Sequence, residues 1–232
     1  MPQSKLHESP RFHCRRATKA DCLDIARLYQ ISSDGVADYI WSILANPGEA
    51  LLEVGARRYG REGVNFSYQN CFIVEDCRSV NSDSQPIAGM LQAFPMHIDP
   101  AYVEEDEILR PYSELEQNNS YYVSGVAVYP EFRNNKIGWR LMQRAETFAR
   151  IEGLNSVSLI VFEQNAGAKR LYERLGYQVI SSREIVPHPL IHYTGEALLM
   201  VKTMKNEGWI AEPLELNYPG PLVDSDGSHE TI

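Results

Sequence analysis

Hydrophobic positions recur along this chain at two spacings, and the spacing changes from segment to segment. Cys22, Ile25, Leu28 and Tyr29 fall three and four apart, one face of a helix. Thr18-Lys-Ala-Asp21 just ahead of them reads as a capping box with Asp in place of the usual Glu. Val36, Ile40, Ile43 and Leu44 predict a second helix over 36–44. Leu51, Leu52, Val54 and Ala56 predict a third over 49–61, which runs into a basic cluster of Arg57, Arg58 and Arg61. A short strand is expected before them at 13–17. The apolar runs 71–75 and 87–94, joined by the polar stretch 78–84, predict an antiparallel hairpin. Residues 98–119 are acidic and irregular. They are expected to form an insertion over one face, with a helix near 113–117.

The second half alternates more regularly. Residues 121–128 (YYVSGVAV) predict a strand that ends before Pro130. A polar turn, EFRNNK, leads into an amphipathic helix over 137–151 with a stripe of Ile137, Leu141, Ala145, Phe148 and Ala149. Residues 157–162 predict a buried strand. Asn165 is placed to cap a helix running to Leu175, with the stripe Ala168, Leu171, Tyr172, Leu175 and with Gly176 as the residue that ends it. Strands follow at 177–180 and 197–203. This order predicts an α/β sheet with mixed pairing.

Composition narrows the function classes. The chain has 232 residues, enough for one domain, expected over 14–204, between a mobile segment at 1–13 and a polar extension at 205–232 that is partly disordered. A formal net charge of -9 argues against a nucleic-acid partner, which needs a basic footprint. It is compatible with a cationic one, such as an amine. No apolar run approaches the ~20 residues that span a bilayer, so no membrane association is expected. The first residues lack an apolar signal core, so a cytoplasmic location is expected. The four cysteines, Cys14, Cys22, Cys71 and Cys77, form no CxxC pair and are expected as free thiols. His188 and His192 are four apart, but Pro189 between them argues against a helix that would align them, so no metal is expected.

The turn before the helix at 137 carries chemistry. A helix N-terminus offers free N–H groups and a positive dipole end, which suit a phosphate. Arg133, Asn134, Asn135, Lys136 and Gly138 crowd that end. The turn is neither a Walker A sequence nor a GxGxxG fingerprint.

The run Val128 to Met142, V-Y-P-E-F-R-N-N-K-I-G-W-R-L-M, resembles the coenzyme-binding motif of the GNAT superfamily of acyl-CoA N-acyltransferases, V-x-P-x-x-R/Q-x-x-G-x-G/A. Val128, Pro130, Arg133 and Gly138 match. Lys136 stands where the pattern has its first glycine. It either strains the backbone, if a positive φ is needed there, or adds charge near the pyrophosphate; the intact neighbours favour the second. Residues 159–177 resemble the family's following strand and helix, N-x-x-A-x-x-L-Y-x-x-L-G-F/Y, matched by Asn165, Ala168, Leu171, Tyr172, Leu175, Gly176 and Tyr177.

The resemblance implies a mixed, mostly antiparallel α/β (α+β) sheet, splayed between its fourth and fifth strands, with helices on both faces. It implies acetyl transfer from acetyl-CoA to a small-molecule or peptide amine acceptor, and it admits a homodimer. It carries coenzyme binding over to Val126, Val128, Arg133, Asn134, Asn135, Lys136, Ile137, Gly138, Trp139, Asn165, Ala168 and Tyr172. It implies Tyr172 as the acid that protonates the departing thiolate. Glu163 and Glu75 are candidates for the base, with His97 behind them; Ser124 and Tyr122 are candidates to position water or substrate. The acceptor pocket is expected from the first two helices, the hairpin and the insertion. Tyr39, Trp41, Phe66 and Tyr68, and the acids Glu104, Glu105, Asp106 and Glu107, lie in those regions. Competing readings are a coenzyme-binding sensor or docking module without turnover, favoured by Lys136 alone, and transfer of a longer acyl chain.

Overall fold

The apolar runs pair into a single seven-stranded sheet in the computed structural model, which describes residues 11–78 and 85–204. The expected mobile start up to residue 10, most of the hairpin turn (79–84) and the extension 205–232 lie outside the described residues. The strands are β1 (Phe12–Arg16), β2 (Cys71–Asp76), β3 (Ile87–Met96), β4 (Ser120–Val128), β5 (Ser156–Phe162), β6 (Gln178–Glu184) and β7 (Glu196–Thr203). Their order is β1-β2-β3-β4-β5-β7-β6, antiparallel throughout except for β4 beside β5. That parallel pair requires a crossover, supplied by α5 (Ile137–Ile151). The other helices are α1 (Cys22–Ser33), α2 (Val36–Leu44), α3 (Leu51–Tyr59), α4 (Arg110–Ser113) and α6 (Ala166–Arg174).

Two apolar layers sandwich the sheet. On one face Ile25, Leu28 and Tyr29 of α1, Trp41 of α2 and Val54 of α3 pack with Ile73, Met90 and Phe94. On the other, the α5 stripe of Ile137, Leu141, Ala145, Phe148 and Ala149 packs with Val123, Leu159 and residues of α6. Both faces of β4 are therefore covered, which is why its sequence is almost continuously apolar.

Two irregularities in β4 shape the site. Only Tyr121, Tyr122 and Val123 pair with β5, opposite Val157, Ser158 and Leu159; beyond them the strands part. Toward β3, Gln92 faces Gly125 and Ala93 faces Val123, so Ser124 is an extra, bulged residue. The bulge turns Ser124 and Gly125 toward the same helical layer. Gly125 permits the close approach: a Cβ there would stand 3.0 Å from Cζ of Tyr29.

The helices differ from expectation in four places. Ile43 and Leu44 are exposed, because Trp41, seated against Gly55 of α3, takes the contact face of α2. Arg58 does not join an exposed basic cluster: it is buried, its guanidinium 4.9 Å over the ring of Phe66. The insertion's helix lies at Arg110–Ser113, ahead of the expected 113–117, because Asp106 caps the preceding turn and Pro111 opens the helix. Thr18 leads first into a short 3-10 turn and only then into α1. The four cysteines are free. Among the described residues no helix is long and apolar enough to cross a membrane.

Candidate active site

The turn into α5 is built from strained backbone. Lys136, the N-cap, has φ 60 and ψ 17, and Asn134 has φ 64. Position 136 therefore does need the left-handed conformation, which corrects the reading of Lys136 as merely added charge. Asparagine tolerates that region; lysine bears a cost of roughly 1–2 kcal/mol, from its Cβ against the following carbonyl. Asn135 ties the turn together, its Nδ2 donating to the carbonyls of Phe132 (3.0 Å) and Arg133 (3.1 Å). The amide of Arg140 is the first to return a full turn, to the Lys136 carbonyl at 3.1 Å. The amides of Ile137, Gly138 and Trp139 thus lack a carbonyl behind them. No acidic residue occupies the first turn of α5 to compete for them. Arg133, Asn134 and Lys136 are exposed beside these amides, and Nε of Arg133 donates to the Val128 carbonyl at 3.3 Å. Gly138 has a packing reason as well, since a Cβ there would lie 3.3 Å from Cδ2 of Leu171 in α6.

Where β4 and β5 part, the facing main-chain edges of residues 124–128 and 160–162 carry no strand partner. The side chains of Val126 and Val128 pack on the α5 layer, so what they offer at this edge is main chain. Asn165 caps α6, its Oδ1 accepting from the Ala168 amide at 3.1 Å. Tyr172 is buried in the same layer, its ring 6.0 Å from that of Tyr177. Burial pushes its hydroxyl above the ordinary tyrosine range, so it stays protonated at neutral pH.

On the opposite face the same opening meets a cavity of ≈ 580 Å³, mouth included. Ser124 lies at its floor, its Oγ 2.8 Å from Tyr29 Oη and 3.0 Å from Gln92 Oε1. Tyr29 Oη also donates to Gln92 Oε1, and Gln92 Nε2 is spent on the Ser67 carbonyl (3.0 Å) and Cys71 Sγ (3.2 Å). Tyr122 lines the cavity too, and burial keeps the hydroxyls of Tyr29 and Tyr122 protonated. The helices α1, α2 and α3 and Tyr112 of the insertion complete the wall.

The structure does not gather every candidate there. Glu163 is exposed and turned toward the loop before β7, its carboxylate 3.7 Å from where a Cβ on Gly195 would stand. Glu75 is engaged by Arg15 at 2.7 Å, and His97 is exposed. Trp41 and Phe66 reach the cavity. Tyr39 instead donates to Asp106 at 2.7 Å, which pushes its pKa up to about 12, and Tyr68 donates to Glu62 at 3.0 Å. Glu104 accepts from Tyr102, and none of the acids at 104–107 lines the cavity. Sequence reasoning missed Tyr29, Gln92 and Arg58. A glutamine inside the apolar run of β3 was a usable signal, since a polar side chain there must find partners. It also passed over Asp34, at the junction of α1 and α2, whose Oδ2 is buried without a hydrogen-bond partner.

Residues 56–177, just over half of the chain, match the Acetyltransferase (GNAT) family. A stretch of 85 residues is 28% identical to GCN5-related N-acetyltransferase 10, chloroplastic, of Arabidopsis thaliana, spanning 37% of this chain and only 32% of that protein. Among solved structures, an N-acetyltransferase from Staphylococcus aureus superposes with a TM-score of 0.53 at 15% identity, over 82% of this chain and 100% of that one. A putative acetyltransferase from Salmonella typhimurium, solved with its cofactor acetyl-CoA, gives 0.52 at 16% identity, over 86% of this chain and 98% of that one.

Proposed function

The chain belongs to the GNAT family of acetyltransferases, and from that premise we propose that it transfers an acetyl group from acetyl-CoA to an amine, the amine attacking the thioester directly. One observation carries this reading: the sheet opens between β4 and β5, with the free amides of α5 on one face and the cavity at Ser124 on the other. Acetyl-CoA, when bound, supplies an activated acyl group with a thiol leaving group.

The chain's own residues do the rest. The amides of Ile137, Gly138 and Trp139, with Arg133 and Lys136, hold the diphosphate; Asn134 and Asn135 shape the turn. Main-chain groups of Val126 and Val128 hold the pantetheine arm from one side, Asn165 and Ala168 from the other. Tyr172 keeps its proton through neutral pH, delivers it from Oη to the departing thiolate and regains one from solvent. Ser124, backed by Tyr29, orients the incoming nitrogen. Catalysis rests on this positioning. The buried phenols stay protonated at neutral pH and so have no basic form to offer, and Glu163 lies outside the cavity, so solvent takes the proton of the amine. Small amines and the N-termini of peptides are the acceptor classes, and a second copy of the chain is the partner class to examine.

The test is ligand-induced stabilisation with acetyl-CoA, desulfo-CoA and NAD, followed by thiol release with amines. Ligand at a hundred times its Kd adds about 2.7 kcal/mol, and each kcal/mol moves Tm by roughly 2–4 °C at this size. A rise with both coenzyme species and none with NAD, together with thiol release, is expected. A rise without release for any amine would leave a coenzyme-binding module; no rise would remove both readings.

A further inference from the structure

The cavity holds a cation without a counter-ion. Arg58 is 9% exposed, lines the cavity, and its Nη2 is buried with no hydrogen-bond partner. Its neighbours in the expected basic cluster are used elsewhere: Arg57 pairs with Glu49 at 3.0 Å, and Nε of Arg61 donates to the Arg58 carbonyl at 2.8 Å. Among the described residues no carboxylate pairs with Arg58, and no acid or histidine lines the cavity. Asp34 is not in the lining; its carboxylate lies 3.7 Å from Nδ1 of His192. Tyr112, also in the lining, has a buried hydroxyl without a hydrogen-bond partner, whose pKa is pushed up by burial and by the nearby Asp34 carboxylate. The remaining wall combines apolar side chains, Val36, Ile40, Ile160 and Phe162 among them, with hydroxyl-bearing ones such as Ser32 and Ser33.

A buried guanidinium nitrogen without a hydrogen-bond partner is costly even with the ring of Phe66 against the group, and the fork of donors matches a carboxylate. We propose that Arg58 anchors an anionic group of the acceptor: the amine acetylated here also carries a carboxylate, on a small apolar body of the size of an amino acid. This rests on the proposed acetyl transfer and names its substrate class. The chemistry is self-consistent. The carboxylate replaces the missing counter-ion, Tyr112 supplies a further donor, and the apolar wall takes the side chain. A di- or polyamine, by contrast, finds a cation and no acid.

Pairs of acceptors that differ only in the carboxylate test this: L-leucine against isopentylamine, and L-phenylalanine against phenethylamine. Thiol release should favour the acid-bearing member of at least one pair by roughly 10–100-fold in kcat/KM, the worth of a charged hydrogen bond. In Arg58→Gln that ratio should fall toward one, chiefly through KM, and Arg58→Lys should restore part of it. Coenzyme affinity and melting temperature of each variant report whether it is folded. Calorimetry with 4-methylpentanoate and 3-phenylpropionate, which carry no amine, separates the two hypotheses. Carboxylate binding that vanishes in Arg58→Gln supports the anion site even if no amine is acetylated. Acetylation of the plain amines as fast as of the amino acids, with no carboxylate binding to the wild-type protein, overturns the proposal and leaves the acetyl transfer standing.

Discussion

Lysine at position 136 holds a backbone conformation that a side chain resists. Lys136→Gly should raise stability by up to about 1 kcal/mol, because relief of the left-handed strain is partly cancelled by the greater freedom of glycine in the unfolded chain. The same change removes a cation from the end of α5, worth about 0.3–1 kcal/mol toward an anion. Coenzyme affinity should therefore fall by a few-fold, and the difference from wild type should narrow at high salt. A melting curve and a coenzyme titration at two salt concentrations read both effects; weaker melting, or unchanged affinity at low salt, would contradict this account. Tyr172 makes the complementary case. Its burial keeps the proton on, so Tyr172→Phe should lower kcat by roughly 10²-fold while coenzyme binding persists. Its raised pKa puts any alkaline loss of acid function above the ordinary tyrosine range.

At the scale of elements, the junction of α1 and α2 is pinned by the loop before β7. Gly35 there has φ 99, and a Cβ would fall 1.7 Å from the carbonyl oxygen of Leu190, in the loop before β7. Neither the angle nor the space admits a side chain. The docking is reinforced by the amide of His192, which donates to the Asp34 carbonyl at 3.1 Å, and by the ring of His188, 4.5 Å from that of Tyr39. Gly35→Ala should destabilise the protein by about 2–4 kcal/mol, strain and overpacking together, seen as a lower midpoint in denaturant. A loss below about 0.5 kcal/mol, the range of an ordinary surface change, would show that the loop does not press on the junction. This contact joins residues more than 150 apart, and the local pattern around Gly35 held no trace of it. Legibility followed the same division. The α5 stripe, the α6 cap at Asn165 and the terminator Gly176 were all readable, because each depends on residues within a turn of one another. The face of α2, the burial of Arg58 and the bulge at Ser124 were not, because each is set by residues outside its own element, beyond the reach of a local periodicity: Gly55, Phe66 and the offset of β3. The turn at 133–139 proposed for the diphosphate is contiguous, so the sequence could single it out; the cavity is assembled from α1, α2, α3, α4, β4, β5 and the segment at Phe66, and no local pattern marks it.

At the scale of the whole molecule, the first helical layer must be held over the sheet for Tyr29 to reach the bulge at Ser124. Arg15 in β1 does much of this. It grips Asp21, at the entry to α1, with two nitrogens at 2.8 Å, and Glu75 in β2 at 2.7 Å. Asp21 in turn accepts from the amide and hydroxyl of Thr18, at 2.7 and 2.9 Å. Burial by itself would raise the pKa of the Asp21 carboxyl, but the bonds from Arg15 and Thr18 outweigh it and hold the group below its ordinary value. A carboxyl with a depressed pKa in the folded state binds fewer protons there than in the unfolded chain. Its contribution is therefore complete above the unfolded value of about 3.9 and disappears as the pH falls through the lower, folded value. Asp21→Asn keeps the shape but loses the charge. It should cost about 1.5–3 kcal/mol at pH 7, the worth of a hydrogen bond between charged partners. The gap between the two proteins should begin to narrow below about pH 4, as the unfolded chain takes up its proton, and close only as the pH falls through the lower, folded value. Denaturant titrations at pH 7 and pH 3 decide it. A gap of the same size at both would mean that Asp21 holds α1 to the sheet by shape and not by charge.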